Sequence, residues 1–217
     1  MSPSSDHSTA GASARREHER RRARREAKVR ARHPRLGGLL LALGEAPADE
    51  RRWARGARGE EMVAEALDAR CRPEVAVLHD RRIPGSRANI DHIAVGPGGV
   101  WVIDAKRYAG RIRVERPLFG QPKLMVGRRD RTKLVDGLAK QVALVAPLAE
   151  SAVPDVSVRG ALCFVEGELP LIGTPTIGGF PLLERRRLAK RLNADGPLAL
   201  DAIAAVTEAL ARRFPPA

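Results

Sequence analysis

Apolar and polar residues alternate along this chain with two different periods. Met62, Val63, Ala66 and Leu67 recur at helical spacing and predict a helix over residues 56–70. Residues 74–80 predict a strand. Residues 90–95 and 100–104 predict two more, joined by the turn Gly96-Pro97-Gly98-Gly99. Shorter strands are expected at 111–115 and 123–126. Residues 132–150 read as a long amphipathic helix with Leu134, Leu138, Val142 and Val145 along one face. An apolar strand at 156–165, a Gly/Pro-rich link at 167–181 and helices at 182–192 and 197–214 complete the pattern. No internal repeat is evident. Helix, antiparallel strands, helix, strand and helices in this order predict an α/β sandwich around a mixed sheet.

The pattern starts near Trp53 and divides the 217 residues into an arm, 1–52, and a globular domain, 53–217. The first ten residues are Ser- and Thr-rich and are expected to be disordered. Residues 14–35 hold eleven Lys or Arg, including Arg20, Arg21, Arg22, Arg24 and Arg25, against three Glu. They have no apolar stripe to dock on a core. Two readings stand: a phosphate-binding arm, partly helical, that orders on binding, or a solvated tail. The whole chain carries 39 Lys and Arg against 26 Asp and Glu, which favours a polyanion, nucleic acid before an anionic membrane. Aromatic residues at 3% argue against a single-strand binder built on rows of stacked rings. Cys71 and Cys163 cannot make a disulfide scaffold or a four-cysteine zinc site, and they fit a reducing compartment. The apolar run at 36–43 is far shorter than the roughly 18 residues of a membrane span. It follows a long basic stretch without a clean cleavage site, unlike a signal peptide. The expectation is a soluble cytoplasmic protein.

The segment Asn89-Ile-Asp-His-Ile-Ala-Val-Gly-Pro-Gly-Gly-Val-Trp-Val-Ile-Asp-Ala-Lys106 carries the chemistry. Pairing about its turn sets Val95 opposite Val100, Ala94 opposite Trp101, Ile93 opposite Val102, His92 opposite Ile103 and Asp91 opposite Asp104. Strict alternation then places Asp91, Ile93, Val95, Val100, Val102, Asp104 and Lys106 on one face. Ile90, His92, Ala94, Trp101, Ile103 and Ala105 take the other. Both faces are largely apolar, so the hairpin is expected inside the domain. Two carboxylates about 5 Å apart repel by roughly 3 kcal/mol at an effective dielectric near 20. Such a couple calls for a cation, a shared proton or a slipped register. Lys106 is one candidate cation; Mg²⁺ or Mn²⁺ is another, suited to hard oxygens where no cysteine or histidine cluster lies near. On repulsion alone, Asp104→Ala is expected to keep or raise the stability of the metal-free protein. The plainer alternative makes the two acids strand ends with Lys106 as a surface counter-ion.

Gly56-x-x-Gly59-Glu60 followed by this segment resembles the nuclease-related domain, over roughly residues 55–150. That family belongs to the restriction-endonuclease-like superfamily, whose site is Asp, a spacer, Asp or Glu, any residue, then Lys. Asp91, Asp104, Ala105 and Lys106 match it, with Asp104 where Glu is commoner. The resemblance implies a mixed β-sheet core flanked by helices, here with a basic N-terminal tail and C-terminal helices. It also implies Mg²⁺- or Mn²⁺-dependent cleavage of nucleic acid, DNA before RNA, with Asp91, Asp104 and Glu60 as metal ligands. Glu60 lies about 60° from Val63 around its helix and borders the apolar stripe; a first-turn acid favoured by the helix dipole is its alternative. Gln141 lies about 60° from Leu138, within the apolar stripe of its helix. The resemblance makes it an auxiliary catalytic residue; a satisfied buried amide is the alternative. Arg128, Arg129, Arg131 and Lys133 form a second basic cluster, a phosphate contact or a solvated loop. Two other functions stay open: a binding module that no longer cleaves, and a membrane-surface adaptor recruited by the arm.

Overall fold

A computed structural model describes residues 15–17, 19–20, 23–24, 26–27, 31 and 48–217. Arg21, Arg22, Arg25, the first ten residues and the apolar run at 36–43 lie outside the described residues. The described arm residues are helical. Arg15 pairs with Glu61, and Arg16 donates to the carbonyl of Ala217.

Helix α1 (Ala48–Arg70) leads into an antiparallel meander of β1 (Ala76–Arg82), β2 (Asn89–Gly96) and β3 (Gly99–Lys106). The chain then forms β4 (Gly110–Glu115), β5 (Lys123–Val126) and β6 (Arg129–Asp130) before helix α2 (Lys133–Ala152). It returns as β7 (Val158–Phe164), parallel to β3. Next come β8 (Gly167–Glu168), β9 (Thr176–Ile177), β10 (Phe180–Glu184), α3 (Arg185–Leu192) and α4 (Leu200–Arg213). The main sheet runs β1-β2-β3-β7-β10-β9 and is mixed, as the element order predicted. A second sheet runs β6-β5-β4-β8.

Each face of the main sheet has its own core. Ile93, Val95, Val100, Val102 and Leu162 pack with Leu138 and Val145 of α2 and Val206 and Leu210 of α4. Ala94, Trp101, Ile103, Ala105 and Cys163 pack with Val63 and Leu67 of α1 and Leu188 and Leu192 of α3. An α/β fold with a mixed sheet between helices results. Among the described residues no helix is long and apolar enough to cross a membrane.

The hairpin register is the one the turn predicted, from Gly96↔Gly99 to His92↔Ile103. Gly99 has φ +111, and a Cβ there would lie 2.4 Å from the Ser157 carbonyl oxygen, so the turn requires glycine. Two expectations fail. Residues 180–184 were divided between a link and a helix, but they form β10, paired with β7 at Leu182↔Leu162. A short apolar run has no period of its own; the open edge of β7 decides it. Ile90 was assigned to the face of Ala94 and Trp101, yet it packs with Ile93 and Val95. The cause is a break in phase. Leu78↔Ile93, His79↔His92, Arg81↔Ile90 and Arg82↔Asn89 pair in one register, but Asp80 and Asp91 between them do not. Asp80 has φ +46, which suspends alternation in β1. Beyond the break, Arg81 turns to α4 and donates to the carbonyls of Phe214 and Ala211.

Candidate active site

The phase break lies where the acids meet. The β2–β3 ladder stops at His92↔Ile103, so Asp91 and Asp104 do not pair through the backbone. Instead Asp91 Oδ2 accepts the Ala105 N–H at 2.8 Å, a side-chain bond at the point where the ladder ends. Asp104 is buried at 8% exposure. Lys106 Nζ donates to Asp104 Oδ1 at 2.6 Å and to the Ala105 carbonyl at 3.1 Å, and lies 3.8 Å from Asp91 Oδ2. The structure therefore brings Asp91, Asp104 and Lys106 to one point, with the ammonium between the carboxylates.

Glu60 approaches on α1. Gly59 makes this approach close: a Cβ at residue 59 would lie 2.9 Å from Arg107 Cβ, just past Lys106. Gly56, the other glycine of the motif, has nothing within 4 Å of an added Cβ. Burial, then the charges of Asp91 and Asp80, push the Glu60 carboxyl up to about 9, against the pull of Lys106. Burial also raises Asp91, to about 7; Lys106 and the Ala105 N–H pull it down while Asp104 pushes it up. Burial alone would lower Lys106, but Asp104 and Asp91 outweigh it and hold the ammonium charged.

Gln141 reaches β2 two residues before Asp91. Its Nε2 donates at 3.4 Å to the carbonyl of Asn89, and its Oε1 is buried without a hydrogen-bond partner. His92 faces α1, with Nδ1 2.9 Å from His79 Nδ1, and His79 Nε2 is 3.1 Å from Asp68. The basic cluster divides. Arg128, Arg129 and Lys133 are exposed, whereas Arg131 lies over the Tyr108 ring, 4.9 Å from its centroid. Arg20 and Arg24 on the arm are exposed.

Sequence reasoning passed over Asp80. It is 1% exposed, and Asn89 Nδ2 donates to its Oδ1 at 3.0 Å. Its charge acts on both Glu60 and Asp91. The available signal is an acid among His79, Arg81 and Arg82, at the polar end of an apolar run, which reads as the strand's end.

The donor set suits a hard dication: two carboxylates meet and one amide oxygen is orphaned. Magnesium is commonly held by one or two carboxylates, with water and phosphate completing its shell. Among the described residues no three His, Cys, Asp or Glu side chains form a group that could hold a metal ion. Glu60 stands near the couple, within electrostatic reach of Asp91, Asp104 and Lys106.

An Asp, then Asp-Ala-Lys, converge at the edge of a hairpin in a mixed sheet between helices, an arrangement consistent with the restriction-endonuclease-like superfamily. A family model for the nuclease-related domain matches residues 55–165. The match covers half of the chain, and the protein belongs to this family. No curated protein and no solved structure matches the chain significantly.

Proposed function

We propose that the protein is a metal-dependent nuclease that hydrolyses phosphodiester bonds of nucleic acid, DNA before RNA. The observation that carries this reading is the single ammonium touching both Asp104 and Asp91. A site able to bind one cation between two hard carboxylates is chemically suited to another. Asp91 and Asp104 would hold Mg²⁺ or Mn²⁺, with Glu60 reaching it through water. The ion would supply Lewis acidity at the phosphate and a more acidic bound water. Lys106 would orient the attacking water and offset the charge that grows on the phosphoryl oxygens. The orphaned Gln141 oxygen offers an acceptor to the same water. Arg128, Arg129, Lys133 and the arm's Arg20 and Arg24 bind backbone phosphates without sequence preference, so affinity falls steeply with salt.

The test compares wild type with Asp104→Ala/Lys106→Ala on labelled single- and double-stranded DNA and RNA, in Mg²⁺, Mn²⁺ or EDTA. Cleavage by wild type in metal and none by the double variant is the expected result. Equal turnover by both would remove the site from the chemistry. A second reading is a nucleic-acid-binding module on the same fold that no longer cleaves. It gains if binding survives EDTA and no substrate form is cut.

A further inference from the structure

Two loops share a sequence pattern and a shape. Residues 117–122 read Pro-Leu-Phe-Gly-Gln-Pro and residues 170–175 read Pro-Leu-Ile-Gly-Thr-Pro. Both glycines have positive φ, +99 at Gly120 and +80 at Gly173. Both loops raise their apolar pair into solvent: Leu118, Phe119, Leu171 and Ile172 are 91%, 87%, 92% and 92% exposed. Proline at each end limits the freedom of the loop before it binds anything. Arg187 anchors one loop through the carbonyls of Leu171 and Gly173, and Arg116 ties the foot of the other to the Thr176 carbonyl. Single exposed leucines are ordinary. Two braced loops of one design, each with two bare apolar side chains, need a partner.

Their place in the fold says which partner. The first loop joins β4 to β5, and the second follows β8; β4 and β8 pair at Gly110↔Gly167. β4 starts a short link after Lys106, and β8 starts a short link after Phe164, the residue paired with Lys106. The second sheet thus grows from the end of the main sheet that carries the candidate active site. Exposed basic residues accompany it: Arg111, Arg116, Lys123, Arg128 and Arg129. Apolar tips on a cationic sheet match the two surfaces of a nucleic-acid strand, anionic backbone and apolar base faces.

We propose that Leu118 and Phe119, and Leu171 and Ile172, are twin wedges that enter between bases of the strand bound at the candidate active site. The preferred substrate then has bases that open readily: single-stranded, gapped or frayed rather than intact duplex. β4 has six residues, so its loop stands about 20 Å from Gly110, some six nucleotide steps along a strand. The inference rests on the nucleic-acid reading but not on cleavage.

The test places 2-aminopurine at successive positions of the single-stranded gap in a gapped DNA duplex, whose ends fix where the protein sits, and records fluorescence with the full chain in EDTA. Wild type should raise the signal several-fold at two separate positions. Leu118→Ser/Phe119→Ser should abolish one maximum and Leu171→Ser/Ile172→Ser the other, each weakening binding about tenfold with an unchanged salt slope. Arg128→Gln/Arg129→Gln should lower the salt slope and keep both maxima. A flat response from wild type, or maxima that survive both serine pairs, overturns the proposal. So does a serine pair that leaves DNA binding intact but abolishes binding to phosphatidylglycerol vesicles or self-association. Wedge signals without cleavage in Mg²⁺ would refute the hydrolase alone; cleavage indifferent to the serine pairs, with no maxima, would refute the wedges alone.

Discussion

The β2–β3 hairpin and the second sheet depart from the usual partition of side chains in opposite senses. The hairpin buries charge: Asp104 is 8% exposed and lies against the ammonium of Lys106. The second sheet exposes apolar surface at Leu118, Phe119, Leu171 and Ile172. A buried charge and a bare apolar tip are the departures that carry information, because neither helps the chain to fold. In the hairpin the cost is set inside the protein, by ions that need one another. On the second sheet it is set by solvent, and a partner can remove it. Substitutions should therefore disturb stability strongly in the first region and hardly at all in the second.

Lys106→Ala gives the largest effect. It leaves Asp91 and Asp104 without their ammonium, and the metal-free protein should lose about 3 kcal/mol in urea unfolding. An unchanged midpoint would show that the couple is solvated and not held by Lys106. The pH dependence of the same protein comes next. The Glu60 carboxyl stands at about 9 in the folded chain against an ordinary 4.5, so the folded state keeps a proton that the unfolded state releases. Its contribution is complete below pH 4.5 and drains away as pH rises towards 9, on the order of a few kcal/mol in EDTA. Asp91, raised to about 7, steepens the lower part of that decline. Glu60→Gln should flatten the curve of urea midpoint against pH; an equally steep curve would place the proton elsewhere.

The two motif glycines sharpen the comparison within one helix. Gly59→Ala drives a Cβ towards Arg107 Cβ, 2.9 Å away, and should cost about 1–3 kcal/mol while moving Glu60 off the couple. Gly56→Ala meets open space and should gain about 0.5–1 kcal/mol from helix propensity alone. Thermal unfolding of the two variants checks the signs; like signs would mean that the Arg107 contact does not restrain α1. The smallest effect belongs to the loop tips. Each serine pair should leave unfolding free energy within about 0.5 kcal/mol of wild type, and a larger loss would show that the tips stabilise the fold.

The parts legible from sequence share a physical cause. A compact turn with Gly99 at positive φ fixes the hairpin register, and alternation then carries the reading as far as His92↔Ile103. Helical phase placed Glu60 beside the face of Val63, and the structure brings it within electrostatic reach of Asp91. Reading failed where backbone geometry has no residue signature. A positive φ at Asp80 is such a case, and across the same unpaired position Ile90 packs in the other core. β10 was missed because five residues set no period; β7 supplies the reason for its form. The twin loops escaped notice because their likeness spans one hexapeptide, far apart in sequence. The expectation that Asp104→Ala would keep or raise stability considered repulsion alone. Lys106 lies between the acids, so removing Asp104 removes an ion pair as well as a like charge.

Everything depends on Asp91 and Asp104 being able to exchange an ammonium for a hard dication. Titration of Mn²⁺ into the full chain, followed by the loss of its free electron paramagnetic resonance signal, with a short oligonucleotide present, addresses this directly. Wild type should bind Mn²⁺ in competition with Mg²⁺, and Asp91→Ala and Asp104→Ala should lose that binding while remaining folded. Glu60→Gln should weaken it and reduce the protons released on binding. Binding that is identical in wild type and both aspartate variants, or absent from wild type, would contradict the account.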